Sequence, residues 1–231
     1  MNAVLKHVLT LSVLVSISTL TACSSSLKDY SSATKLSNVD TTLQVKPLWV
    51  ASTGDVPPSA HAQLPVKVDG DRVYVADRRG NVAALNSKDG KAHWRVNLNE
   101  PLSGGPGIGK KHVFVATREA ELVALDKVKG AEKWRQRISS EMLAAPAVFN
   151  QQLVVQTIDG KVSVYDADTG KKSWVYSRTM PKLTLRGTSA PIVVKDKMGD
   201  KVLAGFSDGR LVGLSLATGE LLWETTIAAA H

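Results

Sequence analysis

One cysteine stands in the whole chain, at position 23, and a lone thiol excludes a disulfide framework as the source of stability. The five histidines, at 7, 61, 93, 112 and 231, form no HExxH or other ligand spacing. No metal site is expected from them. The apolar stretch from Val8 to Leu20 is too short to cross the roughly 30 Å hydrocarbon core as a helix, which favours a cleaved signal over a membrane anchor. Beyond residue 26 no segment carries a convincing helical period.

What the chain does have is a unit repeated four times. The copies read GNVAALNSKDGKAHW (Gly80 to Trp94), AELVALDKVKGAEKW (Ala120 to Trp134), GKVSVYDADTGKKSW (Gly160 to Trp174) and GRLVGLSLATGELLW (Gly209 to Trp223). In each, a turn glycine precedes the tryptophan by four residues. A fixed period near forty residues is the mark of a blade or solenoid array. Upstream of each unit lie a proline-led strand, at Pro65, Pro106, Pro146 and Pro191, and a β-rich run: VYVAD, VFVAT, LVVQT, VLAGF. Short alternating runs bounded by Gly, Asp and Asn read as strands and hairpins. Four strands per repeat predict an all-β fold, a β-propeller of four-stranded antiparallel blades. The blades are expected at about 60–98, 102–138, 142–178 and 188–227, with a lone strand at 45–51 around Trp49. All five tryptophans are expected to be core anchors packed between blades, each with the nearby glycine leaving room for its ring.

The N-terminus addresses location. Lys6 and the short apolar stretch lead into Leu20-Thr21-Ala22-Cys23, the layout of a cleaved signal. That tetrapeptide resembles the bacterial lipobox, which places a signal peptide at 1–22 and makes Cys23 the acylated first residue of the mature chain. Several acyl chains anchor far more firmly than one. By the same resemblance, Ser24 in place of an aspartate points to the outer membrane. Residues 23–44 are rich in Ser and Thr and read as a tether, with a reach of about 25 Å if flexible. The formal net charge is +8, or +7 once Lys6 leaves with the signal. Export and the scatter of lysines over every repeat make this a solvated basic surface, not a nucleic-acid site.

Three motifs imitate chemistry. Gly104-Gly-Pro-Gly-Ile-Gly109-Lys110 approaches a P-loop, but Lys111 replaces the hydroxyl and no helix follows. Gly205-Phe-Ser207-Asp-Gly209 matches a nucleophile elbow in letters, yet aligns with hairpin turns of the other repeats. Ser32-Ala-Thr-Lys35 fits SxxK but lies in the tether.

The more informative feature is a break in the repeat. Trp94 to Pro106 and Trp134 to Pro146 span twelve residues each, whereas Trp174 to Pro191 spans seventeen. Insertions in repeat proteins map to loops on one face, often the binding face. Within it Leu183 and Leu185 share a side if extended, beside Arg186, an apolar pair with a forked donor suited to a protein partner. A loop tucked down to cover its own core fits the same spacing.

The repeat, with ALN..DGK..W and DADTGK..W as its local form, resembles the quinoprotein-type propeller repeat. The lipobox and tether, VYVADRRGNVAALNSKDGKAHW and above all MPKLTLRGTSAP resemble one branch of it, the BamB family of lipoprotein subunits of the outer-membrane β-barrel assembly machinery. The resemblance runs along nearly the whole chain and implies an eight-bladed, non-enzymatic scaffold on the periplasmic face, without cofactor. It implies binding to the periplasmic domains of BamA through Leu183, Leu185 and Arg186, assistance to barrel folding and insertion, and strand addition to nascent outer-membrane proteins. About half of the family's blades are present. The chain therefore reads as a truncated product or fragment, with pairing of two halves as the alternative. Two other functions compete: a quinone-cofactor dehydrogenase, which by resemblance needs Ca²⁺ ligands and many of whose members carry adjacent cysteines, and a lipid-anchored propeller with another partner. Asp89, Asp126, Asp166 and Asp168 sit in turns, leaving no visible catalytic site.

Overall fold

The computed structural model describes residues 43, 45–52, 64–180 and 188–227. The chain divides into two compact units, Met1–Lys46 and Pro47–His231, and every strand described here belongs to the second. Cys23 and residues 183, 185 and 186 lie outside the described residues.

Sixteen strands form four antiparallel sheets among the described residues, each a simple meander in chain order. The first sheet holds β1 (Lys67–Asp69), β2 (Arg72–Ala76), β3 (Asn81–Asn86) and β4 (Ala92–Asn97). The second holds β5 (Leu102–Ile108), β6 (His112–Thr117), β7 (Glu121–Asp126) and β8 (Glu132–Arg137). The third is β9 (Ala147–Phe149), β10 (Gln152–Thr157), β11 (Lys161–Asp166) and β12 (Lys172–Ser177). The fourth is β13 (Ile192–Val194), β14 (Lys201–Gly205), β15 (Arg210–Ser215) and β16 (Leu221–Thr226). These are the blades of a propeller, as the repeat predicts.

The middle strands β6, β7, β10 and β11 are buried on both faces because each sheet is sandwiched by its neighbours. Their apolar runs supply both faces at once. The core is accordingly a series of layers. One lies between the first and second sheets around Tyr74, Trp94, Val115 and Leu125. The next is built on Phe114, Met142, Leu153 and Tyr165, and the third on Val154, Val164, Val202 and Leu214. Tyr74, Phe114 and Tyr165 are the largest fully buried side chains, and burying one aromatic of this size contributes roughly 2–3 kcal/mol.

The tryptophans join the layers, though not with the glycines of their own hairpins. The ring of Trp94 lies on Gly130, that of Trp134 on Gly170 and that of Trp174 on Gly219, each the turn glycine of the following repeat. Their indole N–H groups donate to the carbonyls of Lys127, Ala167 and Leu216 at 3.1, 3.2 and 2.9 Å. The same glycine therefore has two jobs. Its φ of 71 to 76° closes the hairpin in the left-handed region, and its missing Cβ admits the ring, which such an atom would meet at 2.8 Å or less.

Trp49 makes the same contact with Gly90 and donates to the Ser87 carbonyl at 2.9 Å. The segment 45–52 around it, expected to be a strand, forms no ladder. No strand edge lies beside it among the described residues, so extended backbone there has nothing to pair with. Trp223 departs further from expectation: it is 39% exposed and is no core anchor among the described residues. The outermost strands share one irregularity, a β-bulge opposite the tryptophan at Ala84/Leu85, Ala124/Leu125, Val164/Tyr165 and Gly213/Leu214. Such bulges increase local twist, and in the first three sheets they accompany the docking of Trp94, Trp134 and Trp174 on the next hairpin.

The P-loop-like segment is strand β5, with Pro106 at a register shift against β6, where a proline is tolerated. GFSDG is the β14–β15 hairpin, closed by Gly209 donating to the Phe206 carbonyl at 3.0 Å.

Candidate partner-binding site at the third blade seam

Alternating strand directions put the blade-to-blade connectors on the side that carries the hairpins 77–80, 117–120, 157–160 and 206–209. Backbone bonds fix this: Leu98 to Gly80, Ile138 to Ala120 and Arg178 to Gly160, all at 2.9–3.0 Å. The long connector between β12 and β13 starts on this side, at the seam between the third and fourth sheets. Its described feet are Arg178 to Met180 and Thr188 to Pro191.

Arg178 anchors the first foot. Its side chain is only 14% exposed, and its Nε donates to Asp208 at 2.9 Å while Nη1 donates to Glu224 at 3.0 Å. Arg210 closes the cluster on Glu224, and the Arg178 guanidinium sits 5.8 Å from the centroid of Phe206. Burial works against the Arg178 charge, but hydrogen bonds and charge from Glu224 and Asp208 outweigh it and hold its pKa above the ordinary value. Arg210 and then Arg178 hold the Glu224 carboxyl below the usual range. Two arginines and two carboxylates thus lock the third and fourth sheets together at the first foot. Met180 then turns inward, packing over Gly160 and into the third layer of core.

The second foot is tied at one carbonyl. The Gly205 oxygen accepts from Gln156 Nε2 at 2.7 Å and from Ser189 Oγ at 3.1 Å. Gln156 occupies the register position held by Ala76, Ala116 and Gly205 in the other blades. Its Oε1 and the Thr188 Oγ1 are buried without a hydrogen-bond partner among the described residues, so polar capacity concentrates where the connector re-enters the fold. Sequence reasoning passed over Arg178 and Gln156. The glutamine had a legible signal, a polar residue at an inward apolar position of the repeat. The arginine had none, because its partners come from another blade.

The innermost strands converge on an open trough of about 880 Å³ lined by Lys67, Asp69, Lys110, Lys127 and Ile192 among others. Lys127 is engaged by Asp69 and by the Gly109 carbonyl. No group of three or more His, Cys, Asp or Glu side chains among the described residues is arranged to hold a metal. Asp126 and Asp166, candidates for catalytic acids by type, cap their own hairpins: Asp126 accepts the N–H groups of Val128 and Lys129, Asp166 those of Asp168 and Thr169.

Comparison with known proteins agrees with this reading. The family model for the outer membrane protein assembly factor BamB matches residues 36–104 and 78–231. Relatives carrying that name include proteins of Alkalilimnicola ehrlichii, 60% identical over 84% of this chain and 49% of theirs, and of Pseudomonas aeruginosa, 50% identical over 89% and 53%. The chain spans about half the length of these relatives. The crystal structure of BamB from Moraxella catarrhalis superposes with a TM-score of 0.67 at 26% identity, covering 74% of this chain and 51% of that one. A europium-containing methanol dehydrogenase shares the fold alone, with a TM-score of 0.57 at 16% identity over 71% of this chain and 41% of that one. With its tryptophan-docked blades, MPKLTLRGTSAP connector and matches along the greater part of its length, the chain belongs to the BamB family of outer membrane protein assembly factors.

Proposed function

We propose that this chain is a lipid-anchored, non-enzymatic scaffold of outer-membrane protein assembly, held on the periplasmic face of the outer membrane through acylated Cys23. Its partner is BamA, whose periplasmic domains meet the connector carrying Leu183, Leu185 and Arg186, and its contribution is to the folding and insertion of β-barrel proteins. The observation that carries this reading is the third seam. The connector is longer than its counterparts in sequence, and both of its feet are clamped, by Arg178 on Asp208 and Glu224 and by Gln156 and Ser189 on Gly205. A clamped base holds a binding loop at small entropic cost on association. Two leucines would fill apolar depressions on the partner and the arginine would hydrogen-bond at the rim.

The test is capture of the chain by the isolated periplasmic domains of BamA, compared with the Leu183→Ala/Arg186→Ala double variant. Loss of capture with an unchanged thermal transition supports the reading. Retained capture by the double variant removes the loop from it, and no capture by the parent chain removes the partner.

A further inference from the structure

Lysines that the sequence scatters over every repeat are gathered by the fold at one end of the sheets. In a four-stranded meander the first-to-second and third-to-fourth turns fall together, opposite the connectors and their feet. Lys88, Lys110, Lys129, Lys171 and Lys197 all stand in these turns and are exposed. None of the five has an ion-pair partner among the described residues. Contacts such as Arg72 to the Lys127 carbonyl and Lys111 to Asp168 join the turns of neighbouring sheets, so the turns form one continuous surface.

Carboxylates at the same end are held close to the backbone. Asp126, Asp166 and Asp196 accept N–H groups of their own turns, from Lys129, Thr169 and Met198, at 2.8 Å each. Asp69 and Asp168 are taken by Lys127 and Lys111. Short carboxylates bound in turns, beside four-carbon lysine stems free to extend, leave this surface positive. Two of the turns add an apolar tip. Val128 precedes Lys129 and is 63% exposed, and Met198 follows Lys197 and is 93% exposed. The Met198 turn spans six residues, 195–200, where the first and third sheets use two, 70–71 and 150–151. Added loop length within a repeat often marks the binding face.

We propose that this end of the blades is a membrane-contact surface, its lysines set against the anionic headgroups of a phospholipid bilayer and Val128 and Met198 entering the headgroup boundary. Lysine suits that occupant. A compact ammonium on a flexible stem follows a laterally mobile layer of phosphates, whereas a carboxylate in fixed geometry favours the arginine fork. The opposite end uses that fork, with Arg178 and Arg210 on Asp208 and Glu224. Basic residues near the headgroups and apolar side chains buried at their boundary are the two contributions that hold peripheral proteins at an anionic interface. The connector feet, at the far end of the sheets, stay clear of the bilayer in this arrangement.

Vesicle co-sedimentation tests this with the full chain carrying Cys23→Ser, which takes no acyl group. The vesicles are phosphatidylcholine alone and phosphatidylcholine with phosphatidylglycerol. The apolar residues 8–20 are common to every variant, so differences between variants read the blades. The parent should bind the phosphatidylglycerol vesicles about tenfold tighter, a preference that shrinks as salt is raised past the physiological range. In that background Lys129→Gln/Lys171→Gln should weaken the binding about tenfold, and Lys129→Arg/Lys171→Arg should preserve it. Val128→Ser/Met198→Ser should weaken it about threefold and leave the salt dependence in place. All four positions are exposed, so each variant should melt with the parent by circular dichroism. Equal binding to both vesicle types overturns the proposal, as does a preference untouched by the glutamine variant. Capture by polyglutamate with no vesicle preference gives the surface to an acidic protein partner and overturns it too.

Discussion

The indole of Trp94 lies on Gly130, where a Cβ would stand 2.6 Å from ring atom Cε3. One aromatic ring and one missing methyl, in consecutive blades, form the repeating joint of this fold. Gly130→Ala should therefore cost about 3 kcal/mol, combining strain at a φ of 74° with a displaced ring. The melting temperature should drop by roughly 10 °C. Gly70→Ala is the matched control, since its φ is 60° but nothing lies within 4 Å. It should cost about 1 kcal/mol by calorimetry, and equal losses for the two variants would refute ring docking as the larger effect.

Arg178 and Arg186 are eight positions apart in the same connector and should behave oppositely. Arg178→Ala removes the close donor to Asp208 and one of the two arginines on Glu224, and should lower stability by about 2 kcal/mol in urea titrations. Leu183→Ala/Arg186→Ala should leave the unfolding midpoint within about 0.5 kcal/mol of the parent while weakening partner capture. A double variant that unfolds early identifies the loop as core cover.

Acid should weaken the hairpin turns. The backbone N–H of Lys129, with Val128 and Lys133 adding to it, holds the Asp126 carboxyl below its ordinary pKa, and the Thr169 hydroxyl does so for Asp166. A depressed carboxylate contributes stability in full above its unfolded value of about 3.9 and loses it as pH falls through the lower folded value. Asp126→Asn keeps an acceptor oxygen without the charge. The stability gap between parent and variant, measured by urea unfolding, should be widest near neutrality and close below the ordinary carboxylate range. A gap independent of pH contradicts the assignment.

Gln156→Ala restores the residue type of the first two blades. It removes the donor to Gly205 and, with it, the unpaired Oε1. These effects oppose each other, so the net change should stay within about 1 kcal/mol. Capture by the partner is the more sensitive readout, because Ser189 alone would then hold the Gly205 carbonyl beneath the second foot.

The repeat period, the strand content and the hairpin turns were all legible in the sequence because each is local. Alternating apolar residues, a turn glycine and a tryptophan four residues later are constraints met within some fifteen positions. Spacing singled out the long connector, while its Leu183, Leu185 and Arg186 lie outside the described residues. What the sequence could not assign was partnership across blades. It paired each tryptophan with its own hairpin, whereas Trp134 docks on Gly170 and Trp174 on Gly219, since the ring faces the next sheet. It counted Trp223 with the others, though identical chemistry is buried or exposed according to whether a sheet lies beyond it. The clamp of Arg178 on Asp208 and Glu224 was equally hidden, because contacts 30 and 46 residues apart exist only once two blades are stacked. Local pattern determined the blades; the stacking of sheet on sheet decided which residues meet.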